Sequence, residues 1–422
     1  MRRFIQPSYL APSLIIAAVF MMVAYANWRD AARSRERHTV ARPLGTPGAP
    51  ATSREALDRR INDMEARLAK KPDDAGAALA LADALLRQTR VSGNAGLAVR
   101  AEQALKGALA EDPADYDANR MLGALYLSQH RFREAIKIGE RNRNARPYDP
   151  VNYGVIGDGH LELGEYTEAF DAFDRMMTLR PSAAAYARVA YARELQGDLP
   201  GALASMRLAA DATGADDPEA LAWTNSQIGE LYFQMGELRQ AKQAYSSASR
   251  AFPGHPFAVI GYAKTIAAQG DLTGALALLQ DLVQRSPTPD LAARIGELLE
   301  RLGRQEEAEK QYALAEAGWR VDAPEPKNLA RFLADHGRSI NDAVTMAERA
   351  EAERHDIFTE DALAWTYFKA GRLADAATAS AQALRTGSRD RDLLSHAAAI
   401  KQAQGHREAA RTLMARAVAE RR

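Results

Sequence analysis

The chain contains no cysteine, which removes disulfides, thiolate metal sites and thiol nucleophiles together. Aromatic residues make up only 7% of the 422 positions, and runs of β-branched residues are scarce. Net charge is also absent: 55 Lys and Arg balance 55 Asp and Glu, so no overall field draws the chain to nucleic acid or an anionic surface. What remains is rich in Ala and straight-chain side chains, which lose least on becoming helical. The expectation is an all-α protein.

The chemistry-bearing residues form no catalytic pattern. His38, His130, His160, His255, His336, His355, His396 and His406 are scattered. No HExxH pair, G-x-S-x-G elbow or phosphate-binding loop occurs. Gly154-Val-Ile-Gly-Asp-Gly159 is glycine-rich but falls inside a predicted helix with no strand ahead of it. We expect no enzyme activity, no catalytic residue, no cofactor, no metal and no small-molecule substrate.

Four segments precede the main body. Residues 1–8 are a basic flank. Residues 9–28 are uncharged, with Leu14 to Val23 the most apolar stretch and Tyr25 and Trp28 placed for a membrane interface. Such a run is long enough to cross a hydrocarbon core of roughly 30 Å. Ala24-Tyr25-Ala26 also offers a signal-peptidase site, so a single-pass anchor competes with a cleaved signal peptide. The uncharged length favours the anchor. Arginines after the segment favour cytoplasmic repeats, whereas the short amino-terminal flank suits export; we expect the repeats in the periplasm. Residues 29–53 are first basic, then a linker that its prolines and glycines keep from being helical. From Arg29 to Lys71 there are eleven basic and six acidic residues. The apolar spacing of Leu57, Ile61, Met64 and Leu68 predicts a lead-in helix over 54–72.

From residue 73 to 422 one glycine recurs: Gly164, Gly197, Gly236, Gly270, Gly303, Gly337, Gly371 and Gly405, at intervals of 33, 39, 34, 33, 34, 34 and 34. Seven of the eight are followed five residues later by an alanine, as in Glu162-Leu-Gly-Glu-Tyr-Thr-Glu-Ala169 and Arg301-Leu-Gly-Arg-Gln-Glu-Glu-Ala308, and Gly337 six residues later by Ala343. Such a glycine ends one helix in a left-handed conformation, and the alanine lets the next pack closely. Small residues (Gly123, Gly157, Ala190, Gly229, Ala263, Gly296, Ala364, Ala398) and large ones (Tyr126, Tyr232, Tyr367, Phe173, Tyr245, Tyr312) recur in phase. Pro113, Pro147, Pro181, Pro253 and Pro287 close several units.

Ile228-Gly-Glu-Leu-Tyr-Phe-Gln-Met-Gly-Glu-Leu-Arg-Gln-Ala-Lys-Gln-Ala-Tyr-Ser-Ser-Ala248, followed by Pro253, resembles the tetratricopeptide repeat family. The resemblance implies a right-handed superhelical solenoid of about ten antiparallel helix pairs, here behind one hydrophobic amino-terminal helix. It implies that first helices line a groove for a segment of a partner protein. The non-core residues of those helices are Asp158, Glu162, Tyr191, Glu194, Trp223, Glu230, Phe233, Lys264, Arg294, Glu297, Arg331, Asp361, Trp365 and Phe368. Their mixed signs point to no single charge class of ligand. Trp365 and Phe233 also suit packing between repeats, and isolated charges suit a solvated face. A structural tether in an envelope or polysaccharide secretion complex is the competing role.

Four places depart from the pattern. Arg90 to Gly96 carries extra residues in the first turn, and Thr213 to Pro218 is read as a lengthened loop. His130 stands where a turn glycine is expected, and Pro324 and Pro326 make the joint before Lys327 irregular.

Overall fold

Helix ends in this chain are written by short polar residues. Asp149 accepts a hydrogen bond from the Val151 amide, Pro150 occupies the first helical position, and Gly164 closes the same helix at φ 80°. Asp74, Asp115, Asp198, Asp217, Asp271, Asp356 and Asp390 cap other helices in the same manner, as do Ser53, Ser182 and Thr288.

The computed structural model describes residues 53–215, 217–321 and 326–418. Those residues form helices throughout, with no strand among them. In chain order they are α1 (Arg54–Lys70), α2 (Ala75–Ser92), α3 (Gly96–Glu111), α4 (Tyr116–Ser128), α5 (Phe132–Ala145), α6 (Pro150–Leu163) and α7 (Tyr166–Leu179). Next come α8 (Ala183–Leu195), α9 (Leu199–Thr213), α10 (Pro218–Gln234), α11 (Leu238–Ala251), α12 (Pro256–Ala268), α13 (Leu272–Arg285) and α14 (Pro289–Arg301). The rest are α15 (Gln305–Val321), α16 (Pro326–Asp335), α17 (Ile340–Glu353), α18 (Ile357–Lys369), α19 (Leu373–Ala383), α20 (Arg391–Ala403) and α21 (Arg407–Val418). α1 is the lead-in helix, and ten pairs follow. The expected membrane segment at 9–28 and most of the linker lie outside the described residues. No described helix is long and apolar enough to cross a membrane.

Each helix packs against its sequence neighbours, and even-numbered helices also touch along the stack, α2 to α4, α10 to α12 and α18 to α20 among them. The small-and-large alternation is what permits this. A methyl group at Gly157 or Gly296 would come within 2.4 Å of the ring of Phe173 or Tyr312, and one at Gly229 within 2.8 Å of Tyr245. The rings fill space that only a bare backbone leaves open.

The departures resolve differently from the loops expected. The extra residues near Arg90 extend α2 by about a turn, to Ser92, because Val91 and Ser92 are buried and the added turn keeps their backbone hydrogen-bonded. The lengthened interval after Gly197 is taken up mainly by α10, which begins at Pro218 and buries Glu219 and Ala222. His130 does adopt the left-handed turn, at φ 59°, and Ser339 another at φ 35°.

The solenoid winds tightly enough that one turn rests on the next. Ser286 donates to the Val91 carbonyl at 3.2 Å, Arg354 pairs with Glu162 at 3.3 Å, and the Ile357 amide donates to the Tyr166 hydroxyl at 2.9 Å. These partners are 195, 192 and 191 residues apart, between five and six repeats. Apolar contacts follow the same seams. Leu57 and Val91 join Phe252 and Ala258, while Leu161 and Phe173 join Ile357 and Leu393. Near the first seam, buried Glu219 takes two bonds from Arg90 (2.9 and 2.8 Å) and one from Arg87 (3.4 Å).

Candidate binding channel

The winding turns the expected open groove into a narrow interior. Two adjoining cavities occupy it. One, of about 710 Å³, is lined by Leu161, Tyr166, Tyr191, Leu195, Phe257, Trp319 and Phe358 together with Glu162, Asp290, Lys327 and Asp356. The other, of about 370 Å³, shares Asp290, Trp319 and Asn328 and continues along Arg294, Glu297, Arg331, Asp335 and Asp392.

Of the residues expected in the groove, Glu162, Tyr191, Arg294, Glu297 and Arg331 line these cavities, while several others are tied to one another by contacts between even-numbered helices. Glu194 on α8 accepts from Gln234 on α10 at 2.7 Å. Glu230 on α10 takes bonds from Lys264 on α12 (2.7 Å) and from the Tyr245 hydroxyl (3.0 Å). The Lys264 ammonium lies 4.1 Å from the centre of the Phe233 ring. Farther along, Arg294 pairs with Asp290 at 2.8 Å, and Arg331 with Asp392 at 2.6 Å across 61 residues. Trp365 donates its indole N–H to Asp335 at 2.7 Å and stacks on His396 with ring centres 4.1 Å apart, while Asp361 accepts from that His396 at 2.9 Å. Phe368 also stacks against Trp365, with ring centres 5.3 Å apart.

Other expected residues serve the scaffold. Asp158 is held by a two-pronged Arg188 interaction between neighbouring repeats, and Trp223 packs against the core of α8 to α10. Glu162 belongs to the seam through Arg354. Sequence reasoning missed Asp290, Asp335, Asp390, Asp392, His396 and Trp319. Asp390 and Asp392 carry a helix-start signal, and Asp390 indeed caps α20. Only the winding of the stack brings Asp392 to Arg331.

The interior is not evenly mixed in sign. Asp290, Glu297, Asp335 and Asp392 in the second cavity face two guanidiniums, those of Arg294 and Arg331. Burial, aided by the carboxylates of Glu230 and Asp390, pushes Glu194 up to about 7. Burial also raises Glu297, with Asp290 and Asp335 adding to the effect against Arg294, and raises Asp390, with Asp392 and Asp361 adding to it. Arg331 and its neighbours hold Asp392 below the usual carboxylate range against the pull of burial. Burial lifts the Tyr191 hydroxyl well above its ordinary value.

Tetratricopeptide repeat family models match residues 95–147, 155–218 and 227–290. The chain carries tetratricopeptide repeats. The repeat array is similar in fold to the human IFIT1 dimer with PPP-AAAA, at 16% identity over 79% of this chain and 78% of that one, with a TM-score of 0.51. The human IFIT1 dimer with m7Gppp-AAAA is similar at 16% identity over 79% and 77%, with a TM-score of 0.52. Yeast Tom70 matches at 15% identity over 85% and 86%, with a TM-score of 0.44. No curated protein matches the chain.

Proposed function

We propose that the protein is a non-enzymatic interaction scaffold whose interior channel holds an extended, Lys- or Arg-bearing segment of a partner protein at or near a membrane. The observation that carries this reading is the excess of carboxylates around the two joined cavities, with aromatic walls at Tyr191 and Trp319. Aromatic walls supply contact area, and carboxylates held above their usual range gain most from an incoming cation. The apolar run at 9–28 supports attachment to, or export across, a membrane. A polyanion such as the PPP-AAAA of the IFIT1 dimer would meet repulsion here, so that ligand class is not carried over.

The test is fluorescence anisotropy with two labelled unstructured peptides of equal length, one Lys/Arg-rich and one Asp/Glu-rich, together with a labelled oligoadenylate. The cationic peptide should bind with an affinity that falls as salt rises, and a Glu194→Gln, Glu297→Gln double variant should weaken it severalfold. Preference for the acidic peptide or the oligoadenylate would overturn the assignment. So would cationic binding that ignores the double variant. A tether without a ligand groove predicts no binding by any of the three.

A further inference from the structure

Away from the channel, three potential metal ligands converge where α17 passes into α18. Glu351 lies in the last turns of α17, His355 in the short link, and Glu360 in the first turn of α18. His355 Nδ1 is 3.0 Å from Glu351 Oε1 and 3.8 Å from Glu360 Oε1, and one ligand atom from each residue lies within 4.8 Å of the other two. Adjacent ligands around a tetrahedral zinc sit about 3.3 Å apart, so side-chain adjustments of under a few ångströms suffice.

A crowd of exposed acids would mean little, but Glu360 is not exposed. Its side chain is only 9% accessible, and no hydrogen bond reaches its carboxylate among the described residues. A largely buried carboxylate that no hydrogen-bond donor reaches is poorly solvated, and this one has Glu351 and Asp356 as like-charged neighbours. Burial accordingly raises its pKa, with those two acids adding to the effect and Arg385 and His355 opposing it. Arg385 spends its own hydrogen bonds on the carbonyls of His355, Gly164 and Gln382.

The link is also held in place before any ion arrives. Asp356 caps α18 through the Phe358 and Thr359 amides, and Arg354 pairs with Asp356 at 3.1 Å. The His355 amide donates to the Leu163 carbonyl of the neighbouring superhelical turn at 3.2 Å. The backbone is fixed from both sides while the imidazole stays in solvent, 60% accessible.

We propose that Glu351, His355 and Glu360 form a three-ligand site for a divalent first-row transition metal such as Zn2+, placed at the seam between successive turns of the solenoid. One imidazole with two carboxylates suits borderline ions better than Ca2+ or Mg2+, which favour all-oxygen shells. Three protein ligands leave a position for water. Because His355 also makes the seam bond to Leu163, a bound ion ties the α17–α18 link to the α6–α7 turn.

The experiment is calorimetric titration of the chelator-stripped full chain with ZnCl2, alongside His355→Ala, Glu351→Gln and Glu360→Gln. One saturable site per chain is expected, weakened at least tenfold in each variant. MgCl2 should give no saturable heat. Absence of saturable zinc binding overturns the site, and so does binding that survives all three substitutions, which would place it at other histidines. Should Glu360→Gln disturb folding, His355→Ala decides alone, because its ring is exposed.

Discussion

Gly164 tests whether the contact between superhelical turns contributes to stability. It ends α6 at φ 80°, as Gly303 ends α14 at φ 75°, so alanine at either site should cost about 1–2 kcal/mol for the left-handed backbone. The surroundings differ. A Cβ at Gly303 meets nothing within 4 Å, whereas one at Gly164 would stand 2.5 Å from the His355 carbonyl carbon and oxygen and 2.7 Å from the Asp356 amide nitrogen. Those are backbone atoms of the neighbouring turn, fixed by the caps of α18, and cannot swing aside as a side chain would. Overpacking of this kind costs about 1–3 kcal/mol, so Gly164→Ala should exceed Gly303→Ala by that amount. The loss falls on the seam. Hydrogen exchange should therefore speed up roughly five- to 150-fold at the His355 and Ile357 amides in Gly164→Ala, and not in Gly303→Ala. Equal destabilisation by the two substitutions, with unchanged exchange at those amides, would refute the claim that the turns are joined there.

Three further perturbations have directions set by the structure. His255 is fully buried between Phe252 and Phe257 with neither ring nitrogen bonded, and burial lowers it to about 4. Its contribution is complete above the unfolded value near 6.5 and is lost as pH falls towards 4, on the order of 3 kcal/mol; denaturation midpoints of His255→Phe should decline less over that window than those of the native chain. Glu194, raised to about 7, has the opposite sign, since its folded form retains a proton that the unfolded chain releases above about 4.5. Glu194→Gln should match the native chain near pH 5 and exceed it in thermal midpoint at pH 8. Glu219→Ala removes the partner of Arg90 and Arg87 at a seam and should cost about 1–3 kcal/mol in chemical denaturation, with Glu219→Gln recovering part of it.

The repeat itself was legible because its causes are local. A left-handed turn needs glycine, a close helix crossing needs a small residue, and both recur at a fixed spacing that composition alone cannot mimic. Even the large partners were readable, since Phe173, Tyr245 and Tyr312 sit over the small residues expected opposite them. The pitch of the superhelix was not. It is the sum of small rotations at each interface, and no single residue announces it. For that reason Arg331 was recognisable as an inner residue, whereas its partner Asp392, distant in sequence, was missed. The same reason hid the excess of acid. Counted along the chain, charges alternate; gathered by winding, Asp290, Glu297, Asp335 and Asp392 share one cavity. Insertions were misread for a different cause. Polar and glycine-rich residues at Arg90–Gly96 and Thr213–Pro218 signal loops, but burial of Val91, Ser92 and Glu219 makes an extra helical turn the cheaper way to satisfy the backbone.

If the interior holds a partner segment as proposed, closure also constrains how that segment reaches it. A segment with a free end can thread between the seams, while an internal segment needs the turns to part, and its apparent affinity is then reduced by the fraction of molecules that are open. The seams are made of a few polar bonds over small apolar patches, such as Arg354 with Glu162 and Ile357 with Tyr166, so their opening is separable from unfolding of the repeats. Gly164→Ala therefore distinguishes the two routes. Weakening the seam should tighten binding of a segment that enters through it by the same factor that exchange at Ile357 accelerates, and should leave a threading segment unchanged.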